Sequence, residues 1–186
     1  MRLFVAIDLP PEVTDHLSRA LEMVTPPERT ARSPWIPTEN WHITLAFYGE
    51  QPDGALDEIR GYLDQVGNAN PDLKLSLAGA GIFHHDTCWI GVHDEEGVLA
   101  PLAKHARGDY STPHQHAENR FHVTISRAGR KANLKSAMAA LAVYRGPSWI
   151  AHSIYLYESV LGEGPSGHPR YICKKASPLL GPRHTP

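Results

Sequence analysis

Apolar side chains crowd and alternate along Arg2–Asp8, a pattern that predicts a buried strand. Pro10-Pro11-Glu12 then sets proline and an acid where a helix begins. That helix is expected to run to about Val24 and stop before Pro26-Pro27. Thr25–Asn40 is rich in proline and reads as loop. Trp41–Gly49 reads as a strand, ended by Gly49 and the turn-forming Gln51-Pro52-Asp53-Gly54. A second helix fits Ala55–Val66. Leu73–Phe83 alternates again, and a His84-His85-Asp86 turn leads into Cys88–Val92, so the two form an expected antiparallel hairpin. Helical spacing returns from Gly97 to Arg107, before a polar loop, Gly108–Asn119. Phe121–Arg127 reads as a strand, Asn133–Tyr144 as an alanine-rich helix and Trp149–Glu158 as a strand. The glycine- and proline-rich Gly162–Pro169 precedes a last strand, Tyr171–Lys174. Helices interspersed with hairpins argue for an α+β fold and not a doubly wound parallel sheet. No Pro/Ser linker divides residues 1–186, so one domain is expected.

Bulk properties narrow the possibilities. Of 186 residues, 41% are apolar and 20% charged, which excludes a disordered chain. No 18-residue apolar run indicates a membrane span. The opening residues resemble a signal peptide, but Asp8 and Pro10 cut the apolar stretch short. Cys88 and Cys173 sit in strand-like runs and suggest no disulfide framework, so a cytoplasmic protein is expected. A net charge of −2 argues against binding long nucleic acid by charge alone. The charge is segregated, however. Between Asn119 and Lys135 lie Arg120, Arg127, Arg130, Lys131 and Lys135 with no acid, whereas Glu50–Asp64 is acidic apart from Arg60. Such a local basic patch suits a small phosphate ligand or an RNA end.

The chemistry lies in an internal repeat. Asn40-Trp41-His42-Ile43-Thr44-Leu45-Ala46-Phe47-Tyr48-Gly49 aligns without gaps on Arg120-Phe121-His122-Val123-Thr124-Ile125-Ser126-Arg127-Ala128-Gly129. His-x-Thr alone is weak: with 12 histidines, roughly 0.6 matches are expected by chance. A third match, His85-Asp86-Thr87, lies in a turn without flanking aliphatic alternation and is set aside. In a strand, residues i and i+2 share a face about 6.6 Å apart. His42 and Thr44 therefore project together, as do His122 and Thr124. Two such strands facing one another would gather two imidazoles and two hydroxyls around one phosphorus atom. In-line displacement needs a base on the attacking oxygen and an acid on the leaving one, and histidine suits both. Threonine hydroxyls can hold the non-bridging oxygens.

These residues resemble the 2H phosphoesterase superfamily, and within it the bacterial RNA 2',3'-cyclic phosphodiesterase (2'-5' RNA ligase) family. Arg2–Pro10 looks like that family's N-terminus, Trp41–Glu50 like its first motif, and Leu156-Tyr157-Glu158-Ser159 with Arg170-Tyr171 like its C-terminal strands. Phe121 departs from the proline that the family commonly has before the second histidine. The resemblance implies a bilobal α+β fold, with two pseudo-symmetric antiparallel sheets and flanking helices around a cleft, the chain crossing between lobes. It implies hydrolysis of a terminal 2',3'-cyclic phosphate, with no metal or cofactor, by a monomer acting on RNA ends or small cyclic nucleotides. By analogy His42 would donate a proton and His122 accept one. Thr44, Thr124, Arg127 and Phe47 would bind substrate, Arg127 at phosphate and Phe47 by stacking on a base. Strict alternation sets Phe47 and Arg127 on the face opposite the histidines, so either the strands end or bulge there, or these two assignments are wrong. Other readings are a hydrolase of a different cyclic nucleotide, a non-catalytic RNA-end binder, and a metal protein using His84, His85, His93, His105, His114 and His116. None of these last shows the spacing of a strong metal site.

Overall fold

The strand and helix periods read from the sequence are realised as a β-α-β-α-β unit that occurs twice. The computed structural model describes residues 1–25, 34–84, 86–111, 120–127 and 134–182. The first unit comprises β1 (Arg2–Asp8), α1 (Pro11–Val24), β2 (His42–Glu50), α2 (Leu56–Ala69) and β3 (Leu73–Phe83). The second comprises β4 (Thr87–Asp94), α3 (Leu99–Arg107), β5 (His122–Ser126), α4 (Lys135–Ala140) and β6 (Arg145–Ala151). A closing hairpin follows, β7 (Ser153–Val160) and β8 (Arg170–Pro178). The helix expected over Asn133–Tyr144 is shorter: α4 tightens into a 3-10 turn at Leu141–Val143.

The strands form one sheet in the order β6-β3-β4-β5-β2-β1-β7-β8, with antiparallel ladders throughout the described residues. The two sheets expected by analogy are the halves of this sheet. They meet where β2 and β5 pair, at Ile43↔Val123. Both residues are fully buried, and burying an aliphatic side chain of this size is worth about 2 kcal/mol. β3 ends the first unit in sequence but pairs with β4 and β6 of the second, so the chain does cross between halves.

Trp149–Glu158, expected as one strand, is two. β6 ends at Ala151 and β7 starts at Ser153, with His152 between them. One residue spans at most about 3.6 Å, yet β6 lies at one edge of the sheet and β7 next to the strand at the other. The sheet therefore curls until its two ends approach. The His152 carbonyl accepts a hydrogen bond from the Leu179 amide at 2.8 Å, which ties the end of β8 to this junction.

Helices cover one face of the curled sheet. α1 buries Val13, Leu17, Ala20 and Leu21, and α2 buries Ile59, Leu63, Val66 and Gly67, each a stripe at helical spacing. α1 packs on β6, α2 on β8, α3 on β2 and α4 on β3. Gly67 allows α2 to lie close to β8, because a Cβ there would overlap the Pro178 carbonyl. Ile43, Leu45, Val123 and Ile125 join this buried cluster, which leaves His42, Thr44, His122 and Thr124 on the other face.

Candidate active site

β2 and β5 share a defect as well as a motif. Along β1, Ala6 pairs with Thr44 but Val5 with Ala46, so Leu45 is an extra residue in β2. Along β4, Trp89 pairs with Thr124 but Cys88 with Ser126, so Ile125 is an extra residue in β5. Such a bulge shifts the strand's alternation by one. Leu45 and Ala46 are both buried, as are Ile125 and Ser126, and the next residues, Phe47 and Arg127, emerge on the histidine face. His42, Thr44, Phe47, His122, Thr124 and Arg127 consequently all line one cavity of about 910 Å³. Continuing the antiparallel register from Ile43↔Val123 sets His42 beside Thr124 and Thr44 beside His122.

The imidazoles are held alike. His42 Nδ1 lies 2.8 Å from the Asn40 carbonyl, and His122 Nδ1 lies 2.7 Å from the Arg120 carbonyl. A carbonyl only accepts, so Nδ1 carries the proton in each ring and Nε2 presents a lone pair when the ring is neutral. Aromatic rings brace both. Phe4 and Tyr171 lie 4.9 and 5.2 Å from His42, and Phe83 lies 5.1 Å from His122.

Both histidines are held below their ordinary pKa. Removal from water pushes His42 down to about 4, opposed by its bond to the Asn40 carbonyl and reinforced by the charges of Arg127 and His122. His122 is lowered chiefly by loss of water and further by Arg127, against the Arg120 carbonyl bond. The unliganded pair is therefore neutral at pH 7. Unfolded, His42 would take a proton near pH 6.5, whereas folded it waits until about pH 4. Between these values the unfolded chain binds more protons, so folding stability falls as pH drops. The His42→Gln variant should lose less stability than the parent between pH 7 and pH 4.5, by on the order of 2 kcal/mol. Urea denaturation at both pH values measures this, and equal losses would show that His42 is not desolvated.

Several lining residues carried no signal in the sequence. Phe4 reaches the site from β1, the neighbour of β2, and Tyr171 from β8 at the far edge of the same half of the sheet. Thr87, the last residue of the discarded third His-x-Thr, lines the same cavity; His85 lies outside the described residues. Gly167, His168 and Pro169 of the glycine- and proline-rich loop line it too. Buried Asn40 fixes that loop by donating from its side-chain amide to the Pro169 carbonyl at 2.8 Å. One residue thus orients His42 through its carbonyl and closes the cleft through its side chain. Arg130, Lys131, His114 and His116 lie outside the described residues. Among the described residues, no three His, Cys, Asp or Glu side chains converge on a metal position, and no helix is long and apolar enough to cross a membrane.

An antiparallel sheet that brings two His-x-Thr strands to one cleft defines the 2H class of phosphoesterases. The family model described as LigT-like phosphoesterase matches residues 7–89. The RNA 2',3'-cyclic phosphodiesterase of Escherichia coli K12 is 31% identical over 138 residues, 70% of this chain and 74% of its own. The enzyme of that name from Thermotoga maritima is 29% identical over 133 residues, 68% of this chain and 70% of its own. The Geobacillus stearothermophilus enzyme is 30% identical across 96% of this chain and 57% of its own. Among solved structures, E. coli LigT without ligand superposes with a TM-score of 0.73 at 26% identity, covering 96% of both chains. A Thermus thermophilus protein shares the fold, with a TM-score of 0.76 at 24% identity over 98% of this chain and 100% of its own. The chain belongs to the LigT-like phosphoesterase family, among the RNA 2',3'-cyclic phosphodiesterases.

Proposed function

We propose that this chain hydrolyses a terminal 2',3'-cyclic phosphate on RNA to a 2'-phosphomonoester. The observation that carries this reading is the pair of imidazoles pinned through Nδ1 at equivalent positions of one cleft, which Thr44, Thr124 and Arg127 also line. E. coli LigT has been crystallised with phosphate and with ATP, which supports a phosphate-bearing nucleotide in the corresponding cleft here.

His122 Nε2 accepts a proton as water attacks phosphorus. The P–O3' bond breaks opposite the new P–O bond, and His42 Nε2 gives its proton to the departing 3'-oxygen. That leaves a 3'-hydroxyl and a phosphate on O2'. His42 is neutral in the unliganded site, so it takes up the Nε2 proton it later donates as the anionic substrate binds, because a nearby negative charge raises a histidine's pKa. Thr44 and Thr124 donate to the non-bridging oxygens, and Arg127 balances the charge that grows on them. Phe47, 43% exposed at the cavity rim, stacks on the base. An RNA 5'-hydroxyl in the place of water would form a 2'-5' linkage through the same steps, and by microscopic reversibility cleavage of that linkage would retrace them to the cyclic phosphate. The protein works as a monomer, with no metal or cofactor.

Incubation with a short RNA ending in a 2',3'-cyclic phosphate should give a 2'-phosphomonoester, identified by phosphorus NMR and mass spectrometry. A 3'-phosphate product or the absence of turnover would overturn the assignment. EDTA should change the rate by no more than about twofold, because among the described residues no three His, Cys, Asp or Glu side chains are grouped to hold a cation. Loss of most activity, restored by a divalent ion, would show that side chains alone do not carry the reaction.

A further inference from the structure

Trp89 on β4 pairs with Thr124, and cross-strand partners share a face, so its indole lies on the cleft side of the sheet. Gly81 lets it lie flat there, because a Cβ at that position would overlap the indole. Phe83 stacks beside the indole with ring centroids 5.1 Å apart at 27°, and the Arg120 guanidinium lies over it, 5.2 Å from the ring centroid. This assembly adjoins the catalytic centre, since Phe83 and Trp89 lie 5.1 and 6.4 Å from the His122 ring. On its far side Arg120, Phe83, Phe121 and the small residues Ala78, Gly79 and Ala142 line a second cavity of about 750 Å³.

The acid–base chemistry uses none of these side chains. A guanidinium backed by an indole, with phenyl walls and a small-residue floor, is suited to a flat, electron-rich ring that carries a phosphate. We propose that this second cavity is a subsite for another nucleobase of the RNA, the neighbour of the nucleotide whose phosphate lies between His42 and His122. Arg120 stacks on that base and meets the adjoining phosphate. The subsite makes the enzyme one for oligonucleotide ends in preference to cyclic mononucleotides. This inference rests on the function proposed above.

The test compares a 2',3'-cyclic mononucleotide with a dinucleotide ending in the same group. Stacking of one base should give the dinucleotide at least about fivefold higher kcat/KM, expressed mainly in KM. Two variants should remove that preference while remaining folded by thermal melting. Arg120→Ala takes away the cation, and Ala142→Glu places a carboxylate at the exposed rim without touching either histidine. A parent enzyme without the preference, or variants that retain it, would overturn the subsite. Calorimetric affinities for the mono- and dinucleotide 2'-phosphates provide a reading that does not need turnover. The same fivefold ratio, lost in both variants, is expected there. Absence of hydrolysis with that ratio intact would refute the proposed reaction and leave the subsite standing, whereas equal affinities would refute the subsite.

Discussion

Replacing either His42 or His122 by alanine should lower kcat/KM by at least about 10²-fold, the low end for losing a general acid or base. The double mutant should be scarcely worse than the poorer single mutant. Both proton transfers belong to one displacement at phosphorus, and groups that act as a unit are far from additive. Neither substitution should unfold the protein. The two imidazoles border the cleft, whereas the core beneath them is made by Ile43, Leu45, Val123 and Ile125. Steady-state kinetics on a cyclic-phosphate RNA, with denaturant unfolding of each variant alongside, measures both parts. Losses that multiply in the double mutant would mean independent roles. A collapse of the unfolding midpoint in either single mutant would mean that the histidine is structural.

The two roles should separate by pH and by leaving group. Productive turnover needs His122 neutral and His42 protonated, so kcat/KM should rise and then fall with pH. The limbs report apparent values of the interacting pair. Because His42 is depressed to about 4 and His122 is also lowered, both limbs of kcat/KM should lie on the acid side of pH 6.5. Those of kcat should lie higher, since the bound anion raises both groups. What activity survives in His122→Ala should only fall with pH, and what survives in His42→Ala should only rise. A p-nitrophenyl phosphodiester, whose leaving group needs no proton, should rescue His42→Ala by at least about tenfold more than His122→Ala. Preferential rescue of His122→Ala would reverse the two roles. Rescue of neither, with two-limbed profiles in both, would remove these histidines from proton transfer.

Much of this arrangement was legible in the sequence because it depends on a period of two. The alternation around His42 and His122 identified both strands, the residues that share the histidine face and the residues beneath them. It also gave the repeat that relates the two halves. Helix positions followed from proline at the start of α1 and from apolar stripes in the helical segments. The strand β3 has the limits, Leu73–Phe83, that its alternation predicts.

What escaped local reading was decided between strands. Nothing in Thr44-Leu45-Ala46 or Thr124-Ile125-Ser126 marks a bulge. The extra residue appears only when β2 is laid on β1 and β5 on β4. That register, and not the alternation, brings Phe47 and Arg127 to the cleft. The break at His152 was equally hidden, because no glycine or proline interrupts Trp149–Glu158. There the curl of the sheet hands β6 to β3 and β7 to β1 and β8. Phe4, Thr87, Tyr171 and the Gly167–Pro169 stretch join the site for the same reason. The sequence by itself determined which histidines and threonines share one face of each strand, because strand geometry is local. Only the tertiary structure decided which strands become neighbours and in what register, because those choices are made by pairing and burial between segments far apart in the chain.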